Sequence, residues 1–267
     1  MEHPSIPKKV TSVSSEVTIE KRDHIAQITL DRPPVNALTP DTMAALIDAF
    51  DDAGATPDIR VAVFCARGRV FCAGSDIKAR RDSDPSAGAE AAYNRLAREI
   101  NTSIADCAVP VITAVDGPAL GGGLCLVAAS DVVVVSPRAT FGLPEINVGL
   151  LGGAAWATRL FGARWARRMM LTGDQFTAEE LLHSGTLAAA YLVDDPLQTA
   201  MSVAAAIASK SPAAIRMAKA SLNDIEFMDL REGYRHEQSF TARLRHHPDS
   251  REAMTAFAER RKPRFDD

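Results

Sequence analysis

Few cysteines, no long uninterrupted apolar run and no large excess of charge mark this sequence, and each shortage removes a class of protein. The four cysteines (Cys65, Cys72, Cys107, Cys125) show no paired metal-ligand spacing, so no metal site is expected. A chain of 267 residues can build a core without a disulfide framework, and a reducing, cytoplasmic setting is expected. The longest apolar-rich stretch, residues 120–135, opens among glycines and is broken by Ser130 and Asp131. That suits a buried segment better than a membrane span. Residues 1–13 lack an apolar run, which argues against a secretory signal and for a disordered tail. The net charge is −4, so bulk electrostatics favour neither nucleic acid nor an acidic membrane as partner. Strict internal repeats and long low-complexity segments are also missing.

What is present is an alternation of strand and helix patterns. Residues 17–30 alternate around the polar group 21–24 and predict a β-hairpin. Pro40 suits the first turn of a helix, with Met43, Leu46, Ile47 and Phe50 at helical spacing behind it. The short apolar runs 61–65, 109–115 and 132–135 predict strands buried on both faces. Helical patterns lie between them, at 89–104 and 122–129, which together argue for an α/β fold. After about residue 178 the character changes to four helices, 197–210, 213–225, 230–244 and 249–261, punctuated by Pro196, Pro212 and Pro248. Three units are expected: a tail 1–13, a core 14–200 and a helical region 201–267.

Three segments carry the chemistry. Residues 67–78 (RGRVFCAGSDIK) follow a buried strand, and the small residues 73–75 let backbone approach a ligand closely. A plain strand-to-helix turn capped by Asp76 is the bland alternative. Residues 115–125 (VDGPALGGGLC) place three glycines at the start of a helix, where free N–H groups can hold an oxyanion. Close helix packing would also explain those glycines. They do not fit G-x-G-x-x-G, and no Lys-Ser or Lys-Thr follows them, so dinucleotide and P-loop readings fail. In residues 139–145 (ATFGLPE), Glu145 follows a proline in an apolar stretch, where burial of a carboxylate is costly without purpose. A solvated loop glutamate, or a partner for Arg138, is the alternative.

Taken together and in this order, these segments resemble the crotonase superfamily of enoyl-CoA hydratases and isomerases, from Val17 to Phe265. Further matches are the stretch 32–38 with its Asn-Ala-Leu, residues 171–173 (LTG), and 256–262 with its Ala-Phe and Arg-Lys. The resemblance implies a spiral core of ββα turns and a C-terminal helical region that forms homotrimers, which often pair into hexamers. It implies an acyl-CoA substrate, with coenzyme A as part of the substrate and no other cofactor. The backbone amides of Ser75 and Gly122 correspond to the family's oxyanion hole. Val35, Ala37, Ser75, Asp76, Ile77, Lys78 and Gly122 correspond to positions lining the coenzyme site, and Lys262 to a tail lysine near its phosphates. A solvated helix-end charge is the other reading of Lys262. Residues 79–92 are expected near the acyl pocket; Trp156 and 150–155 are candidates for its far wall, with core packing as their default reading.

The sequence departs from the family's hydratases at one catalytic position. Those enzymes carry two glutamates twenty residues apart; here the second is Glu145 and the first position is Cys125. Hydration requires water to be activated and the α-carbon to be protonated, and a buried thiol is poorly suited to either task. One carboxylate suffices to move a proton from C2 to C4 of a 3-enoyl-CoA, so Glu145-driven isomerisation is the leading expectation. The alternatives are a hydratase, or a cyclic β-keto acyl-CoA hydrolase, with Glu145 positioning water, and an acyl-CoA-binding protein without catalysis. Gly153 occupies the place where some dienoyl isomerases and dehalogenases carry an aspartate, which disfavours those reactions. Ser75 stands where alanine is common; its hydroxyl either adds a polar contact near the thioester or caps the turn that follows, and the cap is the favoured expectation.

Overall fold

Period-two alternation puts every second side chain of residues 17–30 on one face, and the chain forms the expected hairpin there. The computed structural model describes residues 9–82, 86–187 and 191–265. In it β1 (Lys9–Ser12), β2 (Val17–Arg22) and β3 (Ile25–Leu30) pair antiparallel in sequence, with Val17 opposite Leu30. Part of the expected tail 1–13 is therefore an edge strand, whose backbone takes up the open side of β2. Residues 1–8 lie outside the described residues.

Helix α1 (Pro40–Ala55) starts where Thr39 accepts a hydrogen bond from the Thr42 amide at 3.1 Å, and Met43, Leu46 and Phe50 are buried behind that cap. The chain then returns as β4 (Val61–Ala66), parallel to β3, with Leu30 opposite Ala66. After α2 (Ile77–Arg81) and the long α3 (Ala87–Ala105), β5 (Val111–Val115) adds to β4. A short β6 (Ala119–Leu120) leads into α4 (Gly122–Ala128), and β7 (Val132–Val135) joins the main sheet beside β5. Then come β8 (Thr140–Gly142), a 3-10 turn (Pro144–Val148) and α5 (Ala154–Thr172), which bends at Gly162. β9 (Gln175–Thr177) and α6 (Ala178–His183) follow, and β10 (Tyr191–Leu192) closes the edge. The main sheet runs β1-β2-β3-β4-β5-β7-β10, and a small sheet runs β6-β8-β9. Repeated ββα turns thus wind a spiral, as expected.

The central strands are nearly all apolar because both faces are covered. Ala62 and Phe64 of β4 face α1 and the main core, whereas Val61 and Val63 face Ala200, Ala204 and Ala208 of α7 (Pro196–Ala208). The expected division at residues 200 and 201 falls inside this helix, whose small side chains bring it close to the sheet. Beyond it lie α8 (Pro212–Ile225), α9 (Leu230–Arg245) and α10 (Pro248–Ala258). Buried Lys219 ties α8 to the core, with Nζ 2.8 Å from Asp131 Oδ2 and bonded to the carbonyls of Ile104 and Val109. Outside, Phe227, Leu230 and Phe257 are each almost 90% exposed (88%, 87% and 87%), an unusual display of large apolar groups. Among the described residues no helix is long and apolar enough to cross a membrane. All four cysteines are free and buried.

Candidate active site

The site is assembled by one asparagine and two loops. Asn36, in the Asn-Ala-Leu stretch, adopts positive φ (53°) and its Nδ2 donates to the carbonyls of Arg67 and Val70, both at 2.8 Å. Residues 35–38 are thereby laid alongside 73–76. Leu38 N–H donates to Gly74 O at 2.8 Å and Asp76 N–H to Leu38 O at 2.9 Å. In such a parallel bridge the residue between them, Ser75, turns its own N–H the other way. That N–H faces the start of α4, where a Cβ built on Gly122 would stand 3.8 Å from Ser75 N.

Helix α4 can start this close because of Gly123, where any side chain would overlap the Cys72 carbonyl. Gly122 is the first helical residue, so its N–H has no acceptor within the helix. Two adjacent N–H groups therefore point at one gap, one of them at the positive end of a helix.

Beneath that gap opens a cavity of about 690 Å³, lined among others by Ser75, Ile77, Gly122, Cys125, Glu145 and Trp156. Glu145 sits in the first turn of the 3-10 segment, with Pro144 fixing the entry of the chain. Its Oε2 is buried with no hydrogen-bond partner among the described residues. Burial pushes the carboxyl above the usual carboxylate range, with its own backbone amide partly opposing the shift. Arg138 is not its partner but pairs with Asp116, at 2.6 Å. Across the cavity the Cys125 thiol is pushed up to about 12, first by burial and then by the charge of Glu145. It is a proton-bearing filler at neutral pH.

Of the residues expected at the coenzyme site, only Ser75, Ile77 and Gly122 line this cavity. Val35 and Ala37 lie on the loop alongside, and Arg32 bonds both the Ala37 carbonyl and Asp76. Asp76 caps α2 by accepting from Ala79 N–H at 3.1 Å, and it borders a smaller apolar pocket with Leu38 and Ala79. Lys78 is exposed on α2, and Lys262 is exposed on the C-terminal tail, away from the cavity lining. The capping role expected for Ser75 belongs to Asp76 instead. Ser75 Oγ accepts a 2.6 Å hydrogen bond from Tyr93 on α3, because α3 crosses directly over the loop.

Tyr93, Asn94, Arg98 and Asn101 were not anticipated at the site, yet all line the cavity. Their polar stripe at helical spacing was the available signal, masked because α3 reads as an ordinary amphipathic helix. Residues 80 and 90, within the anticipated stretch 79–92, do line it, and Arg80 pairs with Glu90 at 2.6 Å while lying over the Tyr93 ring. Residues 83–85 of that stretch lie outside the described residues.

Comparison with known proteins bears on this geometry. The family model of enoyl-CoA hydratase/isomerase matches residues 20–267. The (7aS)-7a-methyl-1,5-dioxo-2,3,5,6,7,7a-hexahydro-1H-indene-carboxyl-CoA hydrolase of Rhodococcus jostii is 40% identical, over 91% of this chain and 93% of its own. The 2,3-dehydroadipyl-CoA hydratase of Escherichia coli is 31% identical, over 94% and 98%. Among solved structures, an enoyl-CoA hydratase of Geobacillus kaustophilus superposes with a TM-score of 0.89 at 27% identity, covering 97% of this chain and 98% of that one. A family match through almost the whole sequence, on the same spiral of ββα turns, makes this chain a member of the enoyl-CoA hydratase/isomerase family of the crotonase superfamily.

Proposed function

We propose that this enzyme hydrolyses a ring carbon–carbon bond of a cyclic β-keto acyl-CoA, using Ser75 and Gly122 as oxyanion donors and Glu145 as its one acid/base. The observation that carries the reading is Glu145, the carboxylate of the cavity lining whose Oε2 is buried and has no hydrogen-bond partner among the described residues, beside a gap with two free amides. Glu145 removes a proton from water, and the resulting hydroxide oxygen bonds to the ring ketone carbon. The tetrahedral adduct collapses, breaking the bond to the α-carbon; the ketone becomes a carboxylic acid, and the electron pair passes to the thioester enolate. The two amides hold that enolate oxygen, and Glu145 returns its proton to the α-carbon. The steps are sequential, so one carboxylate serves twice and no second acid is required. The Rhodococcus relative, named as a hydrolase of a bicyclic diketone carboxyl-CoA, supports this choice.

Removing one such donor typically costs roughly 2.7–4 kcal/mol of transition-state stabilisation. Because the donors are backbone groups, only a change of local shape removes them. The exposed Phe227, Leu230 and Phe257 support a homotrimer or a dimer of trimers, in which they would be covered.

Double-bond isomerisation is the second reading, favoured by the same lone carboxylate, which can carry a proton from C2 to C4 of a 3-enoyl-CoA. A panel of 2-oxocyclohexanecarboxyl-CoA, 3-hexenoyl-CoA and crotonyl-CoA separates the cases. Formation of pimeloyl-CoA from the first supports ring hydrolysis. Turnover of 3-hexenoyl-CoA alone would assign isomerisation, and ordinary rates with crotonyl-CoA would assign hydration. Tight binding without turnover or α-proton exchange would leave only a binding protein.

A further inference from the structure

Along α3 the cavity meets a polar face that the reaction above does not use. Asn94, Arg98 and Asn101 follow one another at spacings of four and three residues, so they share one side of the helix, and all three line the cavity. Asn101 is only 7% exposed. Its Nδ2 donates to the Ala97 carbonyl at 2.7 Å, which fixes the amide and leaves Oδ1 buried without a partner among the described residues. An unmade buried acceptor is destabilising, so a leucine here would give a more stable helix. Three residues earlier, the guanidinium of Arg98 makes no hydrogen bond or ion pair with the described residues. The remaining polar groups of this face are committed. Asn94 donates to Glu90 at 3.2 Å, Glu90 pairs with Arg80, and Tyr93 donates to Ser75.

One turn of α3 thus offers the acyl cavity an unmade acceptor beside an unmade cationic donor. We infer that Asn101 and Arg98 recognise a hydroxyl group on the acyl moiety, remote from the thioester. The hydroxyl donates to Asn101 Oδ1 and accepts from Arg98. A carboxylate or simple carbonyl would satisfy Arg98 but leave Asn101 orphaned, and an alkyl end would satisfy neither. Tyr93 marks the oxyanion end of α3, and Asn101 lies eight residues further, about 12 Å of helix rise. The enol tautomer of a distal ring ketone has the same donor and acceptor character as an alcohol. The inference rests on reading this cavity as the acyl-CoA site, and it names the substrate class as hydroxylated or enolic acyl thioesters.

The test is a binding measurement, so it stands whichever bond the enzyme breaks. Alkanoyl-CoA thioesters from hexanoyl to decanoyl are compared by titration calorimetry with their ω-hydroxy counterparts and with the matching dicarboxylic monothioesters. At least one ω-hydroxyacyl-CoA is expected to bind about tenfold tighter than its alkanoyl partner, the change expected of one well-made buried hydrogen bond. Asn101→Leu and the exposed substitution Arg98→Leu should each bring that ratio to about one, with circular dichroism reporting the fold of both variants. Equal affinities in the parent would overturn the inference, as would a dicarboxylate preference that survives Asn101→Leu. A hydroxyl preference without ring cleavage would sustain it and overturn only the hydrolysis. Absence of any thioester binding would overturn both.

Discussion

The Glu145 carboxylate rests against the bare Cα of Gly121, so that a methyl group on Gly121 would overlap Glu145 Oε1. Gly121 also has positive φ (54°), which a side chain would strain. Gly121→Ala should therefore displace the carboxylate from the gap while leaving the thioester amides near their places. Steady-state kinetics are expected to show kcat reduced by about a hundredfold or more, as for loss of a general acid/base, with a much smaller change in KM.

The buried carboxyl sets a pH dependence. Glu145 must be ionised to accept a proton, and burial raises its pKa. The acid limb of kcat/KM should consequently be a single ionisation lying above the ordinary carboxylate range. For folding the sign is opposite to that of a salt-bridged acid. A raised native pKa means the folded state binds the proton more tightly, so this contribution is full below the unfolded pKa and lost as pH rises through the folded pKa. Glu145→Gln should thus be more stable than the parent at neutral pH and gain little at acid pH, as read from paired denaturation curves.

Cys125 gives a negative prediction. With its thiol pushed up to about 12, almost no thiolate exists at neutral pH. Iodoacetamide should leave the native enzyme active, and Cys125→Ser should retain turnover within about tenfold, since the thiol moves no proton. Cys125→Glu restores the two-carboxylate pattern. It should bring a gain in crotonyl-CoA hydration where the fold survives, but a Cβ on Gly153 would already stand 2.9 Å from the Cys125 sulfur, so the new side chain must find room.

Buried Lys219 anchors α8 through an ion pair to the partly exposed Asp131. Lys219→Met leaves Asp131 and two core carbonyls without their cation, and should cost about 1–3 kcal/mol. A lowered urea midpoint with active-site kinetics unchanged at low temperature is the expected pattern.

Much of this was legible before the structure because the physics was local. Alternation gave the 17–30 hairpin, Pro40 with Met43, Leu46 and Phe50 gave α1, and uniform apolarity gave β4, β5 and β7. The amides of Ser75 and Gly122, proposed as oxyanion donors, are reached through loop residues whose spacing resembles a family, and the glycines let the two segments lie close together. The misses were questions of tertiary contact. Nothing near Ser75 in sequence announces Tyr93, eighteen residues away, which takes the hydroxyl expected to cap a turn. Asp76 caps that turn instead. Lys9–Ser12 reads as polar tail, yet the open edge of β2 recruits its backbone. The sequence shows a helical pattern at 89–104 without saying what its polar face meets, and only the spiral turns Asn94, Arg98 and Asn101 toward the cavity that Glu145 lines.

The central claim is that one carboxylate beside two backbone amides suffices to open a ring through an enolate. It is tested most directly by incubating the enzyme with 2-oxocyclohexanecarboxyl-CoA in deuterated water and reading the product by mass spectrometry. The account predicts pimeloyl-CoA carrying deuterium at its α-carbon, with the reaction abolished in Glu145→Gln. Free coenzyme A with the ring intact, or undiminished ring opening by Glu145→Gln, would contradict it.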